Sequence, residues 1–485
     1  MKSPTLQLLA ATLLAALITG CVQAPPPASQ TALWSTPSDA QKQDKVWEAV
    51  RAATPADLSK PLTLSDIADL ALHNNAATSK AWHEARAASE QVRYAQGYFM
   101  PSITANAGMT RTTTSDHPES YDQNNLYYGP GLQLSYLVVN FGGGRSAAIE
   151  QALQTVYASN FAFNQAIQDT LLSAELAYYQ VITAQAGVES AATNAADTKV
   201  ILEAATERRK AGVGVDLEVL QAQTLYDQAL FTLASAQGLL KITWGSLAQA
   251  VNLPADTLLQ IATPSTNLPA SLSEVEMRRF TDAALARRPD LAALRASLSA
   301  REAAIKVATA SRWPSLYLNG SINRNYYELY GLSNRASAAD EWSYIGGISV
   351  KWNIFDGFQT LSTIRTAEAQ AEATRAQLKQ AELGASAEIW ARFHNYETSL
   401  RMYAFSLSAL NSATAAWQMA LESYKAGVKS ILDVLNAESQ LAQVRRQQIV
   451  ARQDVFTALA NLAHATGIIE KGGSLQAQNS LKGNP

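Results

Sequence analysis

The sequence predicts a mainly α chain that carries part of a membrane β-barrel and is built as two tandem structural repeats. Three observations lead there. Landmarks recur along the chain at nearly constant offset. Four runs alternate strictly between apolar and polar residues and end in aromatic clusters. Two stretches of nearly seventy residues have helix-forming composition and no proline.

The repeat comes first, because self-similarity decides how every later element is read. Met100-Pro101-Ser102-Ile103 recurs as Trp313-Pro314-Ser315-Leu316, an offset of 213. Val139-Asn140-Phe141-Gly142-Gly143-Gly144 recurs as Asn353-Ile354-Phe355-Asp356-Gly357-Phe358, an offset of 214. Ala211-Gly212-Val213 with Leu217-Glu218-Val219-Leu220-Gln221-Ala222 recurs as Ala426-Gly427-Val428 with Leu432-Asp433-Val434-Leu435-Asn436-Ala437, an offset of 215. Three matches in the same order imply a duplicated unit, 61–252 and 274–467, joined by 253–273.

Each unit opens with a short helix, expected at 64–73 and 277–287, and a second helix that a proline stops at Pro101 or Pro314. Strands follow at about 101–111 and 127–140, and again at about 313–325 and 342–354. In the first, Ile103, Ala105, Ala107 and Met109 alternate with Ser102, Thr104, Asn106 and Thr110. Period two over about ten residues describes a half-buried strand of the length that crosses a bilayer in a tilted barrel. Tyr98, Phe99, Phe141, Trp313, Trp352 and Phe355 mark one end of the strands. Tyr121, Tyr127, Tyr128, Tyr326, Tyr327, Tyr330 and Trp342 mark the other, as interfacial girdles do. A soluble hairpin with aromatic cross-strand pairs is the ordinary alternative. The connections, about 112–126 and 325–341, are polar and are expected as loops.

Long helices come next, at 144–211 and 357–426, rich in Ala, Gln, Leu and Glu. Each spans roughly 100 Å at 1.5 Å per residue. A glycine-containing turn reverses each into another long helix, 216–252 and 431–467.

Four strands cannot close a membrane barrel, and an open sheet edge in lipid leaves backbone groups unpaired at several kcal/mol each. The chain is therefore expected to oligomerise. Two copies give eight strands, whose lumen fills with side chains. Three give twelve and leave a passage that the helices continue as a tube, and this reading is favoured.

Composition removes other classes. With 38 Lys and Arg against 41 Asp and Glu, the chain lacks the basic surplus of a nucleic-acid binder. One cysteine excludes a disulfide framework, and five histidines include no pair at metal-ligand helical spacing. Phe141-Gly142-Gly143-Gly144-Arg145 lacks the lysine and spacing of a phosphate loop. No enzyme is expected, and no cofactor or metal.

Residues 1–20 read as a secretory signal: Lys2, an apolar stretch from Leu6 to Ile18, then Thr19-Gly20 before Cys21. That placement resembles the bacterial lipobox, in which cleavage leaves an acylated Cys21 first; an export signal with a chance cysteine is the alternative. Ala24-Pro25-Pro26-Pro27-Ala28-Ser29-Gln30 reads as an extended tether.

Cys21, the duplicated units, Pro101 and Pro314, the Phe-Gly-Gly and Phe-Asp-Gly junctions and Tyr424-x-x-Gly427…Leu432-Asp433-Val434-Leu435-Asn436-Ala437 together resemble TolC-like outer-membrane efflux proteins. The likeness runs from about 60 to 468. It implies a homotrimeric twelve-stranded β-barrel continued by a long periplasmic α-helical barrel. It also implies an exit-duct role beside a periplasmic adaptor and an inner-membrane pump of RND, ABC or MFS type. Segments 21–60, 253–273 and 468–485 then form a belt around the tube, in an outer-membrane, lipid-anchored protein.

The resemblance also assigns a periplasmic gate. Asp433 matches a constricting aspartate ring, and Tyr424 and Lys429 match residues that tie the closed state. Asn436 stands where some relatives have a second aspartate. Three Asp433 carboxylates near an axis would repel one another, which is expected to raise their pKa. Read locally, Gly212 and Gly427 suit helix-ending left-handed positions, Asp216 suits an N-cap, and Ser430 with Asp433 suits a capping pair. These turns, with Gly212, Asp216, Gly427 and Ser430, are the expected adaptor-docking tips. Two further readings stay open: the duct of a type I protein secretion system, and an anchored coiled-coil stalk without a pore.

Overall fold

A computed structural model of the chain describes residues 34, 60–114, 123–257, 259–262, 281–282, 284–330 and 336–467. Cys21, most of the 21–60 tether, the 468–485 tail and residues 277–280 of the expected second short helix lie outside the described residues. The elements in order are α1 (Leu64–Asn74), α2 (Ala76–Gly97), β1 (Ser102–Thr114), β2 (Gln123–Asn140), α3 (Gly144–Lys210) and α4 (Asp216–Ala250). The second repeat supplies α5 (Pro289–Ala310), β3 (Ser315–Tyr330), β4 (Ala336–Lys351), α6 (Gln359–Lys425) and α7 (Ile431–Ala465). Two compact units result, one around 85–158 and 294–377, the other around 159–293 and 378–467 with 60–84.

The first unit holds one antiparallel sheet in the order β1-β2-β3-β4, in which β1 and β4 are edges. The register sorts side chains onto two faces. Ile103 pairs with Leu134 and Leu134 with Gly320; Ala105, Leu132, Ile322 and Tyr344 form the next row. The opposite face carries Ser102, Ser135 and Asn319 in one row and Thr104, Gln133 and Ser321 in another. On that face Asn319 donates to Ser349 Oγ at 3.0 Å. Ile103, Leu132, Tyr344, Ile348 and Val350 are all exposed in the single chain. A sheet that leaves so much of its apolar face uncovered has not buried it within its own unit.

The strands run further than their alternation. β2 begins at Gln123 and β4 at Ala336, and β3 continues to Tyr330, so much of the expected loops is paired ladder. Alternation records which face is apolar, whereas pairing is a backbone property that polar residues also sustain. The Tyr128–Tyr326 stack, with ring centroids 5.5 Å apart, therefore lies inside the ladder.

The strand–helix junctions are built by different side chains in the two repeats. In the first, Asn140 Oδ1 accepts from the Gly144 backbone N–H at 2.9 Å. A Cβ on Gly142 would come within 2.6 Å of Ala310 Cα, so this close approach requires glycine. The ladder of β2 on β3 shifts register between Leu137 and Val139. Arg145 reaches that bulge, donating to the carbonyls of Leu137 at 2.6 Å and Val138 at 2.8 Å while its guanidinium stacks 4.3 Å from the Phe99 ring centroid. In the second repeat Asp356 accepts from the Thr360 N–H at 2.9 Å. The helix there starts at Gln359 instead of 357, because Gly357 and Phe358 both adopt φ of +66°.

Among the described residues the second unit has helices and a parallel bridge, Leu62 with Ile261, as its regular structure. Its main core packs Tyr178, Tyr179 and Val181 of α3 against Leu247, Ala248 and Val251, Ile67 and Ala71 of α1, and Phe456 of α7. Small alanines at these contacts let the helices approach closely. Asn164 of α3 holds residue 34 as a strand neighbour would: Trp34 N–H donates to Asn164 Oδ1 and Asn164 Nδ2 donates to the Trp34 carbonyl, both at 2.7 Å. The Trp34 ring meets Phe161 edge-on. Arg288 bridges Asp290 at 2.8 Å and Glu388 at 2.9 Å and caps the α7 end through the Ala465 carbonyl. Among the described residues no helix is long and apolar enough to cross a membrane.

Candidate functional site

The turns at 211–215 and 426–430 share one backbone. Gly212 donates to the Arg209 carbonyl and Val213 to that of Arg208; Gly427 donates to Tyr424 and Val428 to Ser423. With φ of +74° at Gly212 and +78° at Gly427, each is a Schellman motif that satisfies the last carbonyls of a long helix.

The helices that leave these turns start differently. Ser430 is the N-cap of α7, and its hydroxyl and backbone N–H both engage Asp433 in a capping box. Ser430 N–H lies 3.0 Å and its Oγ 2.8 Å from Asp433 Oδ2. The N-cap of α4 is Val215, which has no hydroxyl to offer. Asp216 is therefore not the N-cap; it is the first helical residue, ion-paired with Arg209 across the turn. The helix starts there because Val215 supplies the extended backbone that a cap position requires.

Glu218 occupies in α4 the position Asp433 occupies in α7, third in the helix. Without a hydroxyl to bind, its carboxylate turns to the other hairpin, where Tyr424 donates its O–H to Glu218 Oε2 at 2.9 Å. Tyr424 is wholly buried among Ile201, Ala205, Ala222, Leu421, Ile431 and Val434. Arg208 donates to the Tyr424 carbonyl at 3.0 Å and lies 4.8 Å from its ring centroid. Desolvation, and then the bond to Glu218, pushes the Tyr424 phenol up to about 12, so it remains a donor throughout the physiological range. Side chains of one helical hairpin thus fasten the other at the tips.

The remaining expected residues sit apart from this fastening. Lys429 reaches Asp433 Oδ1 at 4.0 Å, within its own turn and half exposed. Asp433 and Asn436 both lie on the exposed face of α7. The Asp433 carboxyl is held below the usual range, first by the Ser430 hydroxyl and backbone, with Lys429 adding to them. Within a single chain the cap bonds stabilise the ionised form. Glu218 and Arg208 escaped the sequence reading, although the repeat offset already set Glu218 opposite Asp433.

Comparison with known proteins decides the family. The model for outer membrane efflux proteins matches residues 67–253 and again 281–468. The chain belongs to the outer membrane efflux protein family. The double match reproduces the internal duplication. Protein CyaE of Bordetella pertussis is 27% identical to this efflux protein over 416 residues, which cover 85% of each chain. The pyoverdine export outer membrane protein OpmQ of Pseudomonas aeruginosa is 25% identical over 434 residues, covering 83% of this chain and 85% of OpmQ. The outer membrane protein VceC of Vibrio cholerae superposes with a TM-score of 0.70 at 21% identity, over 84% of this chain and 96% of VceC. The efflux protein is thus an outer-membrane transport channel and not an enzyme, with its long helices on the periplasmic side.

Proposed function

We propose that three copies of this chain form the exit duct of a tripartite pump that passes drugs or other small toxic compounds out of the cell. The observation that carries this reading is the open four-stranded sheet with one apolar and one hydroxyl- and amide-lined face. Three such sheets give twelve strands, pair the β1 and β4 edges, set the apolar face toward lipid and enclose a wetted lumen. The periplasmic helices extend that lumen toward an adaptor and an inner-membrane pump. The similarity to OpmQ, a pyoverdine export protein, supports a small-molecule cargo.

The helix tips act as the periplasmic gate. Tyr424, Glu218 and Arg208 fasten the two hairpins of each chain, and Asp433 and Asn436 present a carboxylate and an amide on the exposed face that a threefold axis would gather. Gly212, Asp216, Gly427 and Ser430 shape the tips that meet the adaptor. A lipid on Cys21, thirteen residues before Trp34, has a tether of at most roughly 45 Å with which to reach the membrane.

Planar-bilayer recordings test the duct and its gate. Asp433→Ala is expected to raise closed-state conductance and lessen cation preference; unchanged values remove Asp433 from the gate. Deleting the chain is expected to lower tolerance to small toxic compounds, and a strain that loses secreted proteins instead has a protein-secretion duct. Acyl labelling that persists in Cys21→Ser refutes the anchor.

A further inference from the structure

The buried face of α7 reads Ile431, Val434, Glu438, Leu441, Val444, so a carboxyl interrupts an otherwise apolar stripe. Glu438 is 1% exposed, and neither of its oxygens has a hydrogen-bond partner. It lies one turn beyond Val434 of the tip core and one before Leu441 of the next cluster, and Trp417 of α6 packs against both clusters. The Trp417 indole N–H, likewise without a partner at hydrogen-bond geometry, is the one donor acting on this carboxyl. Three groups act on this carboxyl: Asp197 from α3, Arg445 from α7 and Trp417 from α6. Arg445 is already committed to Asp197, at 2.7 Å with both side chains largely buried. From α4 the tip core receives apolar Ala222 and Leu225. The counterpart of Glu438 in the first repeat, at offset 215, is the neutral Gln223.

A buried carboxylate approached only by the Trp417 N–H, with the Arg445 cation committed elsewhere, is costly, whereas the protonated acid is tolerated. We propose that Glu438 is a proton-binding latch: the helix tips pack with its carboxyl protonated and loosen when it ionises. This rests on the reading of the tips as a gate and adds its regulation. Burial, and next the like charge of Asp197, pushes Glu438 up to about 7, against the opposing pull of Arg445 and Trp417. The sign follows from that rise. The packed state binds the proton more tightly than a solvated glutamate does, so packing is favoured in acid and weakens as pH rises through 7.

The experiment records open fraction for the full-length channel in planar bilayers from pH 5 to 8. The wild type is expected to open more at pH 8 than at pH 5, on the order of fiftyfold for a carboxyl shifted this far. Within one chain Asp433 is held below the ordinary carboxylate range, first by the Ser430 hydroxyl, and Glu438 is pushed the opposite way by burial. Glu438→Gln, which mimics the protonated acid, is expected to hold the pH 5 level throughout. A Glu438→Gln channel with the wild-type pH profile overturns the latch, and an Asp433→Ala response measured beside it shows whether the gate reading survives. Carbodiimide labelling of Glu438 in the wild type, read by mass spectrometry, needs no variant. Labelling that falls as pH passes 7 supports the latch, and labelling that stays flat from pH 5 to 8 overturns it.

Discussion

Replacing Tyr424 by phenylalanine removes one oxygen from the tip core and leaves the ring, its burial and the Arg208 stack in place. What is lost is a 2.9 Å hydrogen bond to the Glu218 carboxylate. Bonds to charged groups contribute about 1.5–3 kcal/mol net. Glu218 is partly exposed, so water can replace the phenol, and the lower end applies. About 1.5 kcal/mol corresponds to roughly a tenfold shift in the balance between fastened and parted hairpins. Tyr424→Ala sets the scale for losing the ring as well, about 3–5 kcal/mol for a large buried aromatic. The assay is a double-mutant cycle on open fraction in planar bilayers, using Tyr424→Phe, Glu218→Ala and the pair. The singles are each expected to open the channel about tenfold, and the pair little further, because both delete one bond. Strict additivity, or a Phe variant that gates as the wild type does, refutes the fastening. Because folding holds the phenol neutral, its contribution is complete below pH 10 and lost as pH climbs through 12.

Other expectations follow from the same geometry. Gly427→Ala meets open space apart from Arg208 Nη1 at 3.5 Å, so its cost is that of a left-handed alanine, about 1–2 kcal/mol, seen as faster hydrogen exchange in the last turn of α6. Arg288→Met leaves Asp290 without its cation and Glu388 with only Arg392 at 3.8 Å, and is expected to cost about 2 kcal/mol, read as a lower melting temperature. Burial alone would raise the Asp290 carboxyl, but the bonds and charge of Arg288 outweigh it and hold it low. Stability from this pair is thus present above the usual aspartate range and lost as pH falls through the lowered value, a dependence that Arg288→Met should erase. Asn164→Ala breaks both backbone bonds to Trp34 and is expected to make the chain near residue 34 sensitive to limited proteolysis, with the helices intact.

The duplication, the strand alternation and the long helices were legible because each is written in many residues at a fixed period. The two turns were legible for a similar reason, since Gly212 and Gly427 occupy corresponding positions where a left-handed backbone is needed. Asp216 misled because aspartate is a good N-cap by type, while the cap position is set by backbone geometry and fell on Val215. The strand ends ran past their prediction because the ladder continues where the apolar face stops. The contact between Glu218 and Tyr424 joins residues 206 apart in the chain, and no local pattern announces such a pairing. Glu438 was hidden for the opposite reason: in a helix that mixes apolar, amide and charged residues, one acid facing inward looks like any solvated neighbour until the rotation of the helix is known.

The hydroxyl- and amide-bearing face of the sheet has a chemical consequence for whatever slides along it. Between Lys351 near one end and Glu341 near the other, the described side chains of that face are serine, threonine, asparagine, glutamine, tyrosine and a few aliphatics. A wall of neutral dipoles can lend a hydrogen bond to a sugar, a peptide, a catechol or an ion's water shell and release it at little cost. Such a lining is indifferent to the sign of its passenger, and the only fixed charges it offers are those at its two ends, Lys351 and Glu341.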